Sequence, residues 1–255
     1  MPRPRLSRRG LLTLVAGGVA VGAVAGLAEL LLEHRGGRRM FRPATLKPAQ
    51  VLDLHRWKVN LPVANQQVIQ PELASHADES FRVVPAVQFT ARCGDDPQPG
   101  AKYPRSELRE MDEHGTAASW DPSAGTHVME LTQRVTHLPE AKPELVCGQI
   151  HNADDYLILI ELAGSRLFAR YHDLEIGVLD ADYRLGTYFD LRIQVVDGDV
   201  DVSYNGVSKA RHPLTEPGCY FKAGCYLQSN TNTGDLPTAY GQVEISRLTV
   251  THDIS

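Results

Sequence analysis

The sequence predicts an all-β protein, a β-sandwich or jelly roll of antiparallel strands, and three observations carry that expectation. The body of the chain is a succession of β-rich or alternating segments separated by Gly, Pro, Asn and Asp over about 200 residues. The stretch "YFDLRIQVVDGDVDVSYNGVS" holds Asp197-Gly198 and then Asn205-Gly206, two hairpin-turn dipeptides eight residues apart, which reads as a meander. Helical signal is weak, with only "KPAQVLDLHRW" offering one short helix.

Taken in chain order, the first 40 residues differ from the rest. Four arginines precede an apolar run from Leu11 to Leu32 that is broken only by Thr13, glycines and Glu29. Ser7-Arg8-Arg9 followed by Gly10-Leu11-Leu12 resembles a twin-arginine export signal, and "AVA" at 23–25 offers a cleavage site. The same run, at ~1.5 Å per residue, is long enough to span a bilayer, so a retained anchor is the alternative. Either reading places the body outside the cytoplasm, and a secreted protein is expected. Residues 1–32 are thus expected to be signal or anchor, 33–48 an Arg-, Gly- and Pro-containing linker, and 49–255 one domain. Within that domain strands are expected at 81–90, 127–137, 156–162, 166–172 and 243–250, as well as along the meander.

With 255 residues, of which 42% are hydrophobic, the chain can build one sizeable core. Its formal charge is -5; cleavage after Ala25 removes four of 26 basic residues and no acidic ones, leaving 22 against 31, a net of -9. No Lys/Arg block lies in the body, so the charge balance argues against nucleic acid or an anionic membrane as partner of the mature form. A monomer is expected. Cys93, Cys147, Cys219 and Cys225 fit no zinc spacing, and the histidines are scattered, so no metal site and no cofactor are expected. Cys225 is a buried thiol or half of a disulfide. A continuous strand would hold the Cα atoms of Cys219 and Cys225 roughly 20 Å apart, too far to bridge, unless a bulge or turn forms at Gly224.

Chemistry enters through three segments. In "CYFKAGCYLQSN" the period of two puts Phe221, Ala223, Cys225 and Leu227 on a core face, with Tyr220, Lys222, Gly224, Tyr226 and Gln228 on a wet, cationic and phenolic one. "YPRSELRE" alternates Tyr103, Arg105, Glu107 and Arg109 on one face, where Glu107 can pair with either arginine. "GQIHNADDY" adds Gln149 and His151. If the three rows share a sheet, they form a groove floor of guanidinium, ammonium, amide, imidazole and phenol. Each residue alone is ordinary, since a strand arginine usually faces solvent and a lone histidine is usually structural. Tyr220 reads as structural, and Tyr103 as either a sugar-stacking ring or a strand cap. The joint occurrence of three rows is what favours an enzyme.

That floor suits an anionic, hydroxyl-rich polymer. Arginine and lysine meet carboxylates, while amides and phenols meet hydroxyl groups. Glycoside hydrolysis generally needs two carboxyl groups flanking the bond, and the nearest pair, Glu110 and Asp112, falls on the face opposite Arg105. A uronic acid polymer can instead be cut by β-elimination, in which a base removes the C5 proton and the C4 oxygen leaves. Fixed donors must then neutralise the C6 carboxylate, a task suited to Arg105, Gln149 and His151. Tyr226 is the candidate proton donor and acceptor, with neighbouring cations expected to lower its pKa.

"YPRSELRE", "QIH" and "YFKAGCYLQ" resemble the three signature segments of the alginate lyases of polysaccharide lyase family seven, and "LDLHRWKVNLPV" (52–63) resembles the opening of their domain. The resemblance implies a β-jelly roll, endolytic eliminative cleavage of alginate, and no obligatory metal. It carries the catalytic set onto Arg105, Gln149, His151 and Tyr226, with histidine as base for guluronate and tyrosine as acid, or tyrosine as both for mannuronate. It places Glu107, Arg109, Lys222 and Gln228 in the substrate-binding subsites. Isoleucine in "QIH" tends in that family to accompany guluronate, although Ile150 faces the core by alternation. The competing readings are a lyase of another polyuronate, such as glucuronan, and a non-catalytic carbohydrate-binding jelly roll.

Overall fold

Alternating burial decides which strands close the core. The computed structural model describes residues 46–254 apart from 64 and 65, so the expected signal or anchor and most of the expected linker lie outside the described residues. In chain order the strands are β1 (Trp57–Asn60), β2 (Gln67–Val68), β3 (Phe81–Val83), β4 (Val87–Arg92), β5 (Arg105–Glu110), β6 (Thr126–His137), β7 (Glu144–His151) and β8 (Tyr156–Ala163). They continue as β9 (Arg166–Tyr171), β10 (Leu174–Asp180), β11 (Phe189–Val196), β12 (Asp199–Tyr204), β13 (Val207–Pro213), β14 (Tyr220–Leu227) and β15 (Tyr240–Asp253). All pair antiparallel in two sheets, ordered β10-β9-β8-β7-β14-β5-β1-β2 and β13-β12-β11-β6-β15-β4-β3.

The second sheet has one dry face. Met129, Leu131, Gln133 and Val135 of β6, with Phe189, Leu191, Ile193 and Val195 of β11, are buried, and the residues alternating with them are not. Each apolar side chain among them contributes roughly 1.5–3 kcal/mol by leaving water. The first sheet differs, because β7, β8 and β14 are buried on both faces along nearly their whole length. One face packs Ile150, Phe221, Ala223, Cys225 and Leu227 into the shared core. The other is the polar row, and it is enclosed rather than wet: Lys222 is 3% exposed, Gln149 1% and Glu107 0%.

The meander forms as expected. Asp197-Gly198 and Asn205-Gly206 both take left-handed conformations, with φ of 48° and 82° and of 49° and 79°, as type I′ hairpin turns require. Two local expectations are corrected, and the state of the cysteines is decided. The expected strand at 81–90 is a tight hairpin, β3 and β4, because Pro85 has no N–H for a ladder and the chain turns there, pairing Phe81 with Phe89. The expected helix in "KPAQVLDLHRW" is only a 3₁₀ turn at Pro48–Gln50, followed by β1. All four cysteines are buried free thiols, although β14 does have an irregular register against β7 between Ala223 and Tyr226.

Gly224 sits at that irregularity with φ of 138°, opposite Glu107. A Cβ there would lie 2.7 Å from the Ser106 carbonyl oxygen and 2.9 Å from the Glu107 Cα. Only glycine lets β14 approach β5 this closely. The strands that carry Lys222 and Glu107 are thereby locked together.

Candidate active site

Strand order brings the three sequence rows side by side as β7-β14-β5. Lys222 lies between Arg109 on one side and Gln149 on the other, Tyr226 opposes Arg105, and Tyr220 opposes His151. Above them is a cavity of about 550 Å³ lined by Arg105, Arg109, Gln149, His151, Lys222 and Tyr226. The loops at 98–102 and 153–155 form its walls.

Glu107 organises the floor from beneath. Its carboxylate accepts from Lys222 Nζ at 2.6 Å, from Arg105 Nη1 at 3.4 Å and from Gln149 Nε2. Burial alone would raise its pKa, but Lys222 and then Arg105 outweigh burial and hold it below the ordinary range. Lys222 is pushed down to about 8 by burial, against the pull of Glu107. Each donor is held at one end and open at the other. Gln149 keeps a second amide N–H, and the Arg105 Nε, buried, has no partner among the described residues.

His151 and Tyr226 enter the cavity from opposite ends of this row. His151 Nδ1 lies 2.5 Å from the Asn152 carbonyl oxygen, which can only accept, so Nδ1 carries the proton and Nε2 holds a lone pair. Nε2 makes no hydrogen bond among the described residues. Burial, then the Lys222 charge, pushes His151 down to about 4, so the ring is neutral near pH 7. The Tyr220 ring stacks on it at 5.4 Å, with its hydroxyl 3.2 Å from Nδ1. Tyr226 lies under the Arg105 guanidinium, 4.0 Å from the ring centroid. Its pKa is nevertheless raised, not lowered as the sequence suggested, because burial outweighs Arg105. Tyr226 is therefore a protonated phenol and His151 an unprotonated imidazole, the two states that a base and an acid need.

Other expected site residues are placed differently. Glu107 is fully buried and does not line the cavity. Gln228 also lies off the lining, 8% exposed, with its amide donating to the Leu227 carbonyl. Arg109 is held by the Glu110 and Ala118 carbonyls and stacks on Tyr220 at 3.8 Å, leaving Glu107 to Arg105 and Lys222. Tyr103 is 6% exposed and packs behind Tyr226 at 6.4 Å between ring centroids, away from the lining. Lys58 and Asn60 do line the cavity and were not singled out. Their signal was the alternation in "WKVN", where Trp57 and Val59 face the core.

The hydrolase pair fails on geometry. Glu110 is 1% exposed and accepts from Trp120 Nε1 at 3.1 Å, from Phe221 N at 2.8 Å and from His252 Nε2 at 2.5 Å, all inside the protein. Asp112 caps a turn through the His114 and Thr116 amides. Ile150 is fully buried and cannot touch a ligand in the groove. A second depression, about 430 Å³ on the other sheet, spends its cations internally, Arg92 on Glu79 and Arg82 on Gln88. Among the described residues no group of three or more His, Cys, Asp or Glu side chains could hold a metal ion.

Two outcomes follow from this arrangement. Glu107→Gln leaves Lys222 and Arg105 buried without their anion, so unfolding free energy should fall by about 3 kcal/mol, measured by urea denaturation. A loss below about 1 kcal/mol would show that the cations do not depend on Glu107. For His151, protonation is disfavoured in the folded state, so stability is expected to drop as pH falls from about 6.5 toward 4 while the ring stays neutral. The acid limb of kcat/KM should accordingly lie well below the ordinary histidine pKa of about 6.5. An acid limb at or above that value, from a pH–rate profile, would contradict the burial of His151.

Known proteins share this fold. The family described as alginate lyase matches residues 52–252. Among solved structures, alginate lyase AlgAT5 from polysaccharide lyase family 7 is 46% identical, with a TM-score of 0.81, covering 82% of this chain and 100% of its own. The alginate lyase from Corynebacterium sp. is 39% identical, with a TM-score of 0.78, over 81% of this chain and 98% of its own. A family 7 alginate lyase, A1-II′, solved in complex with substrate (GGMG), is 25% identical, with a TM-score of 0.72, over 84% of this chain and 99% of its own. A comparison with curated proteins finds no match. The chain belongs to the alginate lyases of polysaccharide lyase family 7.

Proposed function

We propose that this polysaccharide lyase cleaves alginate within the polymer by β-elimination, outside the cytoplasm, leaving a 4,5-unsaturated uronate end. The observation that carries the reading is one cavity with a neutral imidazole at one end, a protonated phenol at the other, and paired cations between. Arg105 and the free Gln149 N–H hold the C6 carboxylate of the reacting unit and stabilise the charge that develops as C5 loses its proton. His151 Nε2 takes that proton. The C5–H electron pair becomes the C4=C5 bond, the C4–O4 bond breaks, and the Tyr226 hydroxyl gives its proton to the departing O4. His151 then releases its proton to solvent and Tyr226 regains one. The solved A1-II′ complex with substrate supports an alginate oligosaccharide as occupant. Separate base and acid groups suit guluronate units, since a phenol acting as both would have to ionise first. The endolytic mode rests on the family likeness.

The test is incubation with polyguluronate, polymannuronate and glucuronan, following ultraviolet absorbance of the unsaturated product and the early fall in viscosity. Polyguluronate should be cut fastest, with viscosity falling before small products accumulate. Tyr226→Phe should lower kcat by ~10²–10⁴-fold at unchanged melting temperature. Glucuronan as the best substrate would reassign the polymer, and no absorbance with any polymer would leave a binding module. Export is proposed from "SRRGLL" and the apolar run after it. The exported protein should begin near Gly26, by N-terminal sequencing, and normal export of an Arg8→Lys, Arg9→Lys double variant would sink the twin-arginine assignment.

A further inference from the structure

Two histidines, a glutamate and a tryptophan meet between the sheets, and none of them lines the cavity. The pairing of β6 with β15 sets His127 directly opposite His252, with their Nδ1 atoms 2.7 Å apart. His252 Nε2 in turn lies 2.5 Å from Oε1 of Glu110, on the other sheet. The Trp120 ring stacks on His127 at 4.2 Å, and both His127 and Glu110 are buried. Only His252 keeps some contact with solvent, its side chain 14% exposed.

The hydrogen bonds fix where the protons lie. His127 Nε2 faces the Asp121 and Ala124 carbonyl oxygens, each at 3.0 Å; both can only accept, so Nε2 carries a hydrogen. The facing Nδ1 atoms need one hydrogen between them, and the contact of His252 with Glu110 needs another. Glu110 Oε2 already accepts from Trp120 Nε1 and Phe221 N, as a carboxylate does. His252 therefore holds a hydrogen on each ring nitrogen, an imidazolium between a carboxylate and a neutral imidazole. Every polar position of this chain is then filled. One more proton would set two hydrogens face to face across a short contact, or displace an N–H from Glu110 Oε2.

Acid therefore acts on His127. Burial first, and with it the His252 charge, holds its pKa below the ordinary range against the pull of the two carbonyls and Glu110. The other titratable groups around the cluster do not relieve it. The Cys219 thiol is pushed by burial up to about 12, Asp121 is exposed and accepts from Ser123, and Arg109 lies on the Glu110 side.

We infer that Glu110, His252 and His127 form an acid-released clasp, which ties β5 and the Phe221 end of β14 to β6 and β15 and opens when His127 takes a proton. Its release reaches the groove floor, because Glu110 directly follows Arg109 and Phe221 follows Tyr220, the ring stacked on His151. The clasp belongs to the sandwich and does not depend on which polymer the groove takes.

The experiment compares the full chain with its His127→Gln variant. Glutamine offers an N–H to the carbonyls and an oxygen to His252, yet takes up no proton. Because the folded state lowers the His127 pKa, its contribution to stability is present above about pH 6.5 and is lost as pH falls below that. Between about pH 6.5 and about pH 5 the unfolding equilibrium of wild type should shift toward the unfolded state by about tenfold more than that of the variant, read by urea denaturation at each pH. Hydrogen exchange over the same range should show residues 120–127 and 250–253 losing protection before β8 and β9 in wild type, with the loss suppressed in the variant. Nitrogen NMR of the wild-type rings at about pH 6 should find His252 with hydrogens on both nitrogens and His127 with one on Nε2 alone. Equal pH slopes in the two proteins, protection lost evenly along the chain, or two doubly protonated rings at that pH would each overturn the clasp. Should the variant fail to fold, the ring protonation of wild type decides the matter alone.

Discussion

A single buried carboxylate holds the groove floor together. Glu107 has no exposure, and three donors converge on it: Arg105 of its own strand, Lys222 of the adjacent β14 and Gln149 of β7 beyond it. An isolated charge at such depth would be neutralised by a shift in its pKa; here the surrounding cations keep it ionised. The reverse also holds, since Lys222 is 3% exposed and would lose its proton readily without Glu107. Charge, amide and guanidinium are thus fixed in place before any substrate arrives, which is the condition for electrostatic catalysis in a site shielded from water. The close approach of β14 to β5 at Gly224 is the backbone feature that makes this convergence possible.

The same enclosure assigns the proton-handling groups. Burial disfavours whichever form is charged, so it pushes imidazole and phenol in opposite directions. His151 is held as a free base by burial and the Lys222 charge together, and Tyr226 as an acid by burial against the pull of Arg105. Tyr220 contributes by position: it is pinned under Arg109 on one side and stacked on His151 on the other. The Asn152 carbonyl completes the arrangement by fixing the tautomer.

Two glutamates three residues apart on β5 show how much the face of a strand decides. Glu107 points toward the groove and is neutralised by cations that can also meet a ligand. Glu110 points inward, into a cluster with Trp120, His252 and His127 that ties the two sheets together. His127 Nδ1 lies 2.7 Å from His252 Nδ1, and the Trp120 ring stacks on His127 at 4.2 Å. One glutamate therefore serves the groove and the other serves the sandwich, and neither is available as a hydrolytic acid.

What the sequence determined by itself was local and periodic. Alternation separated the faces of β14, the Asp-Gly and Asn-Gly pairs marked two hairpins, and three polar rows identified the strands of the floor. Their order in the sheet, with β14 between β5 and β7, is a long-range pairing that no local pattern contains. Burial is likewise a property of the assembled walls. That is why the polar face read as wet proved enclosed, and why the Tyr226 pKa moved up rather than down. Gln228 kept the right alternation yet lay beyond the cavity, because strand periodicity says nothing about where a groove ends. Lys58 and Asn60 were legible as a polar alternation in "WKVN", but only the register of β1 on β5 set one across from Arg109 and the other across from Glu107. Periodicity is written in neighbouring residues, whereas register, depth and charge pairing arise only when distant segments meet.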